Sequence, residues 1–257
     1  GRDRAVSDVD RARRVLLKRM RYMARRLTKP RIVRIGRVLL EVDDPAVSPA
    51  MRDEIYSERY ESRELRLLGD LVKPSDNVME IGAGLGYLAS WYGRVAPRIL
   101  LVEANPYLIP LIRRNLRANG VAAEVVHGVL GPSNGKRTLH LSADFWDASL
   151  IPTDKHTASV EIDQLDAGEM FSRFSPTFLI IDIEGGEAEL LPLVPLETVH
   201  KILIEFHPQV VGSATITELI RLVIDRGFLL DTGLCSDQVF FFHRPAAVEH
   251  PERLSAT

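Results

Sequence analysis

Four acids and a histidine stand at positions that could do chemistry. Asp182 and Glu184 lie in Phe178-Leu-Ile-Ile-Asp-Ile-Glu-Gly-Gly-Glu187, after a wholly apolar run and before two glycines. Two residues apart on an extended backbone, their side chains point the same way. Like charges sharing a site raise one pKa toward that of a useful base. A metal would need third and fourth ligands, and none stands at a recognisable spacing, so no metal is expected. Helix capping is the other use open to Glu184 and Glu187. Lys201-Ile-Leu-Ile-Glu-Phe-His-Pro208 repeats the arrangement, with Glu205 and His207 on one face. His207 either takes a proton near neutral pH or holds a loop in place. Asp182, Glu184 and His207 are the candidate catalytic groups.

A second set of residues suits ligand binding. In Asn77-Val-Met-Glu-Ile-Gly-Ala-Gly-Leu-Gly86 an apolar strand runs into Gly82, Ala83, Gly84 and Gly86. Glycines there allow close backbone approach, and a following helix offers free amide donors. The spacing is Gly-x-Gly-x-Gly, not the Gly-x-Gly-x-x-Gly of dinucleotide folds. Glu80 just before it would repel a pyrophosphate and suit a cation. About 20 residues on, Ile99-Leu-Leu-Val-Glu103 ends in an acid at the position that binds ribose hydroxyls in nucleoside-binding α/β folds. The alternative for Glu103 is a solvated strand end. Glu124-Val-Val-His-Gly128 ends the next strand, where His127 either meets a base or is satisfied by backbone.

These motifs need elements to hold them at one edge. Apolar runs near 77–81, 99–103, 123–127, 177–182 and 201–206 alternate with amphipathic stretches near 86–93, 106–118, 186–191 and 214–226. That alternation predicts an α/β fold, a doubly wound, mostly parallel sheet covered on both faces. Gly227 to Leu230 and Gln238 to Phe242 read as a hairpin that adds an antiparallel strand at the C-terminal end. Gly135 to Leu141 and Ser159 to Ile162 read as short strands of an insertion. Asn105 is expected to cap the helix that Pro106 opens, with Asn119-Gly120 closing it. Ahead of the core, Ile32 to Val42 reads as a strand or hairpin and Pro45 to Leu71 as turns and helix. The division is then an arm (1–30), an annex or lid (31–72), a cofactor-binding core (73–245) and a tail (246–257).

The net charge of −2 hides an asymmetry. Residues 1–40 hold 14 of the 33 basic side chains but 3 of the 35 acids, leaving 19 against 32 in the remainder. Val9, Ala12, Leu16, Met20, Met23 and Leu27 recur every three or four residues, an apolar stripe on an Arg-rich helix that should end near Thr28-Lys29-Pro30. Three readings stay open for it: packing on the main domain or a partner subunit, peripheral contact with an anionic membrane, and contact with nucleic acid. The chain opens on Gly1 rather than Met, as expected of a polypeptide trimmed at its start. No apolar stretch is long enough to span a bilayer. The single cysteine, Cys235, allows no internal disulfide and points to a reducing compartment, hence a cytoplasmic protein, at most peripheral to the inner face of a membrane.

Residues 58 to 207 resemble the FkbM-type methyltransferases of the class I, Rossmann-like, S-adenosylmethionine-dependent fold. The resemblance rests on Tyr60-Glu61, Met79-Glu-Ile-Gly-Ala-Gly-Leu-Gly86, Val102-Glu-Ala-Asn-Pro106, Asn115 to Gly120 and, most specifically, Ile181-Asp-Ile-Glu-Gly-Gly-Glu-Ala-Glu-Leu190. Glu80, Gly84 and Ala104 depart from the commonest family residues. The resemblance implies S-adenosylmethionine as cofactor, held by Glu61, Glu80, Gly82, Ala83, Gly84, Gly86, Glu103, Ala104, His127, Gly128 and Asp182. It also implies O-methylation of a hydroxyl or carboxyl on a sugar, glycoconjugate or secondary metabolite. Trp146, in the inserted segment, stacks on substrate or packs. The alternatives are a non-catalytic binding module recruiting a partner, such as a second copy, through its arm, and an RNA methyltransferase. Against base N-methylation stands the missing Asn- or Asp-Pro-Pro-aromatic signature, and against nicotinamide chemistry the glycine spacing.

Overall fold

In a computed structural model, residues 2–142, 148–150 and 157–245 are described. A long helix α1 (Arg2–Thr28) leads into an antiparallel hairpin, β1 (Ile32–Ile35) and β2 (Val38–Glu41), and two helices, α2 (Pro49–Tyr56) and α3 (Ser62–Leu71). The core then runs β3 (Asn77–Ile81), α4 (Tyr87–Tyr92), β4 (Arg98–Glu103), α5 (Ile109–Ala118) and β5 (Glu124–His127). After it come β6 (Val129–Gly131), β7 (Gly135–Leu141), β8 (Ala158–Asp166) and α6 (Ala167–Phe174). The chain returns through β9 (Phe178–Ile181), α7 (Glu187–Leu190), β10 (Lys201–Glu205), α8 (Pro208–Val211), α9 (Ser213–Asp225), β11 (Leu229–Leu230) and β12 (Val239–His243).

The main sheet has seven strands in the order β11-β12-β10-β9-β3-β4-β5. Strands β5, β4, β3, β9 and β10 are mutually parallel, and β12 lies antiparallel between β10 and β11. This is the expected doubly wound sheet with its antiparallel C-terminal hairpin. The order reverses between β3 and β9, so β4 and β10 leave in opposite directions and open a crevice at the strand ends.

Strand periodicity explains why both faces are covered. Val78, Leu101, Ile180 and Leu203 bury toward α4, α5 and the N-terminal annex, whereas Met79, Leu100, Leu179 and Ile202 bury toward α6, α7 and α9. Successive residues point to opposite faces, and here both faces are core. The helix α6 was not foreseen. Its signal was present, because Asp166 caps it by accepting from the Glu169 N–H, and Phe171 and Phe174 fall on one buried side.

One local expectation is corrected. Asn105 does not cap α5, since its Oδ1 accepts from the Tyr107 N–H in a turn and the helix begins four residues later at Ile109. The expected strands of the insertion, β7 and β8, form with β6 a separate three-stranded sheet in the order β6-β8-β7. Trp146 and the tail 246–257 lie outside the described residues.

The annex is fastened by two asparagines of α5. The Asn119 Oδ1 accepts from the Leu39 N–H at 2.9 Å and its Nδ2 donates to the Leu39 carbonyl at 2.7 Å. The Asn115 Oδ1 accepts from the Glu41 N–H at 2.8 Å, while its Nδ2 donates to the Leu85 carbonyl at 2.9 Å in the glycine loop. Asn115 thereby joins the hairpin to the loop that shapes the site.

Candidate active site

The strand ends of β3, β4, β5, β9 and β10 converge on a cavity of about 650 Å³. Gly82, Gly84, Glu103, Ala104 and Gly128 line one part of it, Asp182, Glu184 and Glu205 another, and Tyr60, Glu61 and Glu64 come from the annex. Leu139, Ala148, Ser149 and Leu150, in and beside the small sheet, cover it from above.

The glycine loop owes its residues partly to packing. Gly82 has φ +88°, and a Cβ there would stand 1.7 Å from the Asp182 carbonyl oxygen. Only glycine lets the ends of β3 and β9 close this tightly. Gly86, at φ +70°, sits against Ile112 of α5 and starts α4. Gly84 and Gly82 reach the cavity wall, whereas Ala83 and Gly86 do not.

Glu103 ends β4 with its carboxylate turned back to the loop. Its Oε2 accepts from the Gly84 N–H at 2.9 Å and its Oε1 from the Asn105 N–H at 2.8 Å. Burial pushes this carboxyl up to about 7, against the pull of the Asn105 and Gly84 amides. His127 stands behind it and does not face the cavity, its Nε2 3.1 Å from the Ala104 carbonyl oxygen. Gly128 does face it, with φ +147° and no room for a Cβ beside the Asp163 carbonyl.

Glu80 is placed otherwise than its position beside the glycines suggested. Its carboxyl is 2% exposed and accepts from the Tyr92 hydroxyl at 2.6 Å, away from the cavity wall. Side chains alternate along β3, and this one falls on the α4 side of the sheet. Burial lifts its pKa to about 8, opposed by the Tyr92 hydrogen bond and reinforced by Glu103.

Glu61 reaches the cavity instead. Its backbone is left-handed, at φ +45°, directly before α3. Its Oε2 is buried without a hydrogen-bond partner among the described residues. Burial, with Glu80 near by, holds its carboxyl well above the usual range. The Tyr60 hydroxyl bonds this carboxyl, and the second oxygen, buried on a strained backbone without a partner, fits a cationic ligand group.

At the ends of β9 and β10, the fold assembles what the spacing could not show. Asp182, Glu205 and His207 each place a ligand-capable atom within 4.8 Å of the others. The His207 Nε2 lies 3.4 Å from the Glu184 Oε1 and 3.7 Å from the Asp182 Oδ1, and its Nδ1 lies 3.4 Å from the Glu187 Oε1. Glu187, fully buried, also accepts from the His207 backbone N–H at 2.8 Å. Burial works against an imidazolium, but Glu184 and Glu187 outweigh it and raise His207 to about 11. The carboxylates around it thus favour a proton on His207. Burial, then Glu205, drives Asp182 well above the ordinary carboxylate range, with His207 pulling the other way. Glu205, noted in the sequence on one face with His207 but left out of the candidate catalytic groups, belongs to this cluster.

The donor set fits S-adenosylmethionine. Glu103 keeps lone pairs for ribose hydroxyls, Gly84 brings backbone close, and Glu61 with Asp182 surrounds the place for positive charge.

Comparison with known proteins gives matches over part of the chain. Residues 63–138 match the methyltransferase small domain family. A protein-L-isoaspartate O-methyltransferase of Rhizobium meliloti is 32% identical over 90 residues, covering 30% of this chain and 44% of that one. The chain therefore spans less than half the length of that relative. Among solved structures, a precorrin-6y C5,15-methyltransferase of Geobacter metallireducens superposes with a TM-score of 0.41 at 16% identity, over 71% of this chain and 84% of that one. A ribosomal protein L11 methylase of Lactobacillus delbrueckii subsp. bulgaricus gives 0.43 at 12% identity, over 74% and 80%. The family match is confined to residues 63–138, the segment that holds the glycine loop and Glu103.

Proposed function

We propose that the protein transfers the S-adenosylmethionine methyl group to oxygen, on a hydroxyl or carboxyl of a sugar, glycoconjugate or secondary metabolite, as an FkbM-type enzyme. The observation that carries this reading is the single cavity in which Glu103, the glycine loop and Glu61 stand on one side and Asp182 and Glu184 on the other. The Ile181-Asp-Ile-Glu-Gly-Gly-Glu187 sequence supports the FkbM assignment, and the name of the Rhizobium relative supports oxygen as the methylated atom.

When bound, S-adenosylmethionine supplies an electrophilic methyl on a sulfonium. Glu103 binds ribose hydroxyls, and the Gly82–Gly84 backbone sets the depth at which the nucleoside lies. Glu61 pairs with positive charge through its unused Oε2. Leu139 and Leu150 keep water from the reacting atoms, and orientation under that cover supplies much of the rate. A hydroxyl acceptor needs a base. Asp182 and Glu184, which line the cavity, are the groups placed to take the acceptor proton, with His207 behind them within 3.7 Å of both. A carboxylate acceptor needs no base.

Calorimetric titration with S-adenosylmethionine and S-adenosylhomocysteine, with NAD in parallel, tests the cofactor. Micromolar binding of the first two that collapses in Glu103→Ala supports the reading. Binding of neither, or of NAD alone, overturns it. Acceptor screening then separates the Asp182→Asn variant by substrate, with loss on hydroxyls and retention on carboxylates.

A further inference from the structure

The arm docks on the body with the wrong face for a core-packing helix. Tyr22 donates to the Asp53 Oδ1 at 2.7 Å, and the Arg25 guanidinium donates to the carbonyls of Tyr56 and Arg34, both at 2.7 Å. Lys18, Arg21 and Arg25 gather around Glu58 at 3.2 to 3.8 Å. Opposite that face run Leu16, Met20, Met23 and Leu27, exposed by 59%, 60%, 57% and 80%. At 100° per residue these four lie within a stripe about 60° wide, centred roughly 180° from Lys18, Tyr22 and Arg25. Arg13 and Arg19 flank the stripe and are also exposed, while Arg26 turns to the Tyr22 hydroxyl and Asp53 on the docked face.

We propose that α1 is an interfacial helix that lays this stripe into an anionic lipid surface while its opposite face stays pinned to the annex. Charge selects the occupant. A second copy of the helix would bring two Arg-rich arms together, which is repulsive. Nucleic acid would use the arginines but leave four large apolar side chains in water. An anionic bilayer meets both needs, with headgroups for the flanking arginines and acyl chains for Leu16, Met20, Met23 and Leu27. The helix has 27 residues and so lies about 40 Å along the surface. None of the helices among the described residues is long and apolar enough to cross a membrane, so contact is in the plane.

The test is co-sedimentation of the full chain with vesicles of two parts phosphatidylcholine to one part phosphatidylglycerol, against pure phosphatidylcholine. The expected result is at least tenfold stronger binding to the anionic vesicles. It should fall at least tenfold in Met20→Glu/Met23→Glu, with S-adenosylhomocysteine affinity unchanged. Met20→Ser/Met23→Ser, which adds no charge, separates loss of apolar contact from charge repulsion and should also weaken binding. In Leu16→Trp, emission should shift to the blue on vesicle addition. Three outcomes overturn the proposal: equal binding to both vesicles, binding that survives both Met20/Met23 variants, or a dimer by light scattering that the same variants dissolve. Since these readouts do not depend on methyl transfer, failure here leaves the cofactor reading standing.

Discussion

The Glu103 carboxylate accepts the Gly84 backbone N–H at 2.9 Å, tying the end of β4 to the loop that follows β3. The residue expected to bind ribose is also the brace that shapes the loop beside it. Its replacement removes a ligand contact and a preformed loop together.

Glu103→Ala should therefore weaken S-adenosylhomocysteine binding by about 100-fold, or ~2.8 kcal/mol, measured by calorimetry. Glu103→Gln should recover part of this, because its amide oxygen accepts one of the two backbone N–H groups. The wild-type carboxyl titrates at about 7, and a protonated carboxyl is a poorer acceptor. Affinity should thus rise as pH increases through 7, and Glu103→Ala should lack that rise.

Glu80 makes stability depend on pH in the opposite sense to a salt-bridged acid. Its pKa rises on folding from an ordinary 4.5 to about 8, so the folded state binds the proton more tightly. Stability from Glu80 is full below 4.5 and is lost as pH rises through 8. Melting temperature should fall across that window, and Glu80→Gln should flatten the slope while keeping a partner for the Tyr92 hydroxyl. A slope unchanged in the variant would refute the assignment, with Glu61, Glu103 and Asp182 the remaining sources of the same sign.

His207→Ala should destabilise the fold by about 3–5 kcal/mol, the cost of leaving a buried charge without its partner. Glu187, fully buried and bonded to the His207 N–H, is the group left uncompensated. In urea unfolding, the double variant His207→Ala/Glu187→Gln should lose less than His207→Ala alone.

Gly82→Ala and Gly36→Ala separate close approach from backbone strain. Both glycines have positive φ, but Gly36 has nothing within 4 Å of the added carbon, while Gly82 meets the Asp182 carbonyl. Gly36→Ala should cost about 1–2 kcal/mol, and Gly82→Ala distinctly more because β3 and β9 must part. Denaturant midpoints compare the two.

Period and punctuation made much of this protein legible in advance. Asn77–Ile81 and Lys201–Glu205 appear as strands where apolar runs met turn residues, because burial on both sheet faces demands such runs. The glycine loop, Glu103 and the Asp182–Glu184 pair were readable for the same reason, each being a local pattern at a strand's end. Tertiary structure decided which groups share a site. Asp182 and Glu205 are far apart in sequence and meet only because β9 and β10 pair in register. Periodicity named the buried side of β3 but not its neighbour, so Glu80 found Tyr92, and the acid that reaches the cavity is Glu61 from the annex. The arm makes the same point at the surface. Its stripe was plain from the spacing of Leu16, Met20, Met23 and Leu27, yet which face meets the body depended on Asp53 and Glu58, charges that the folded annex brings beneath it.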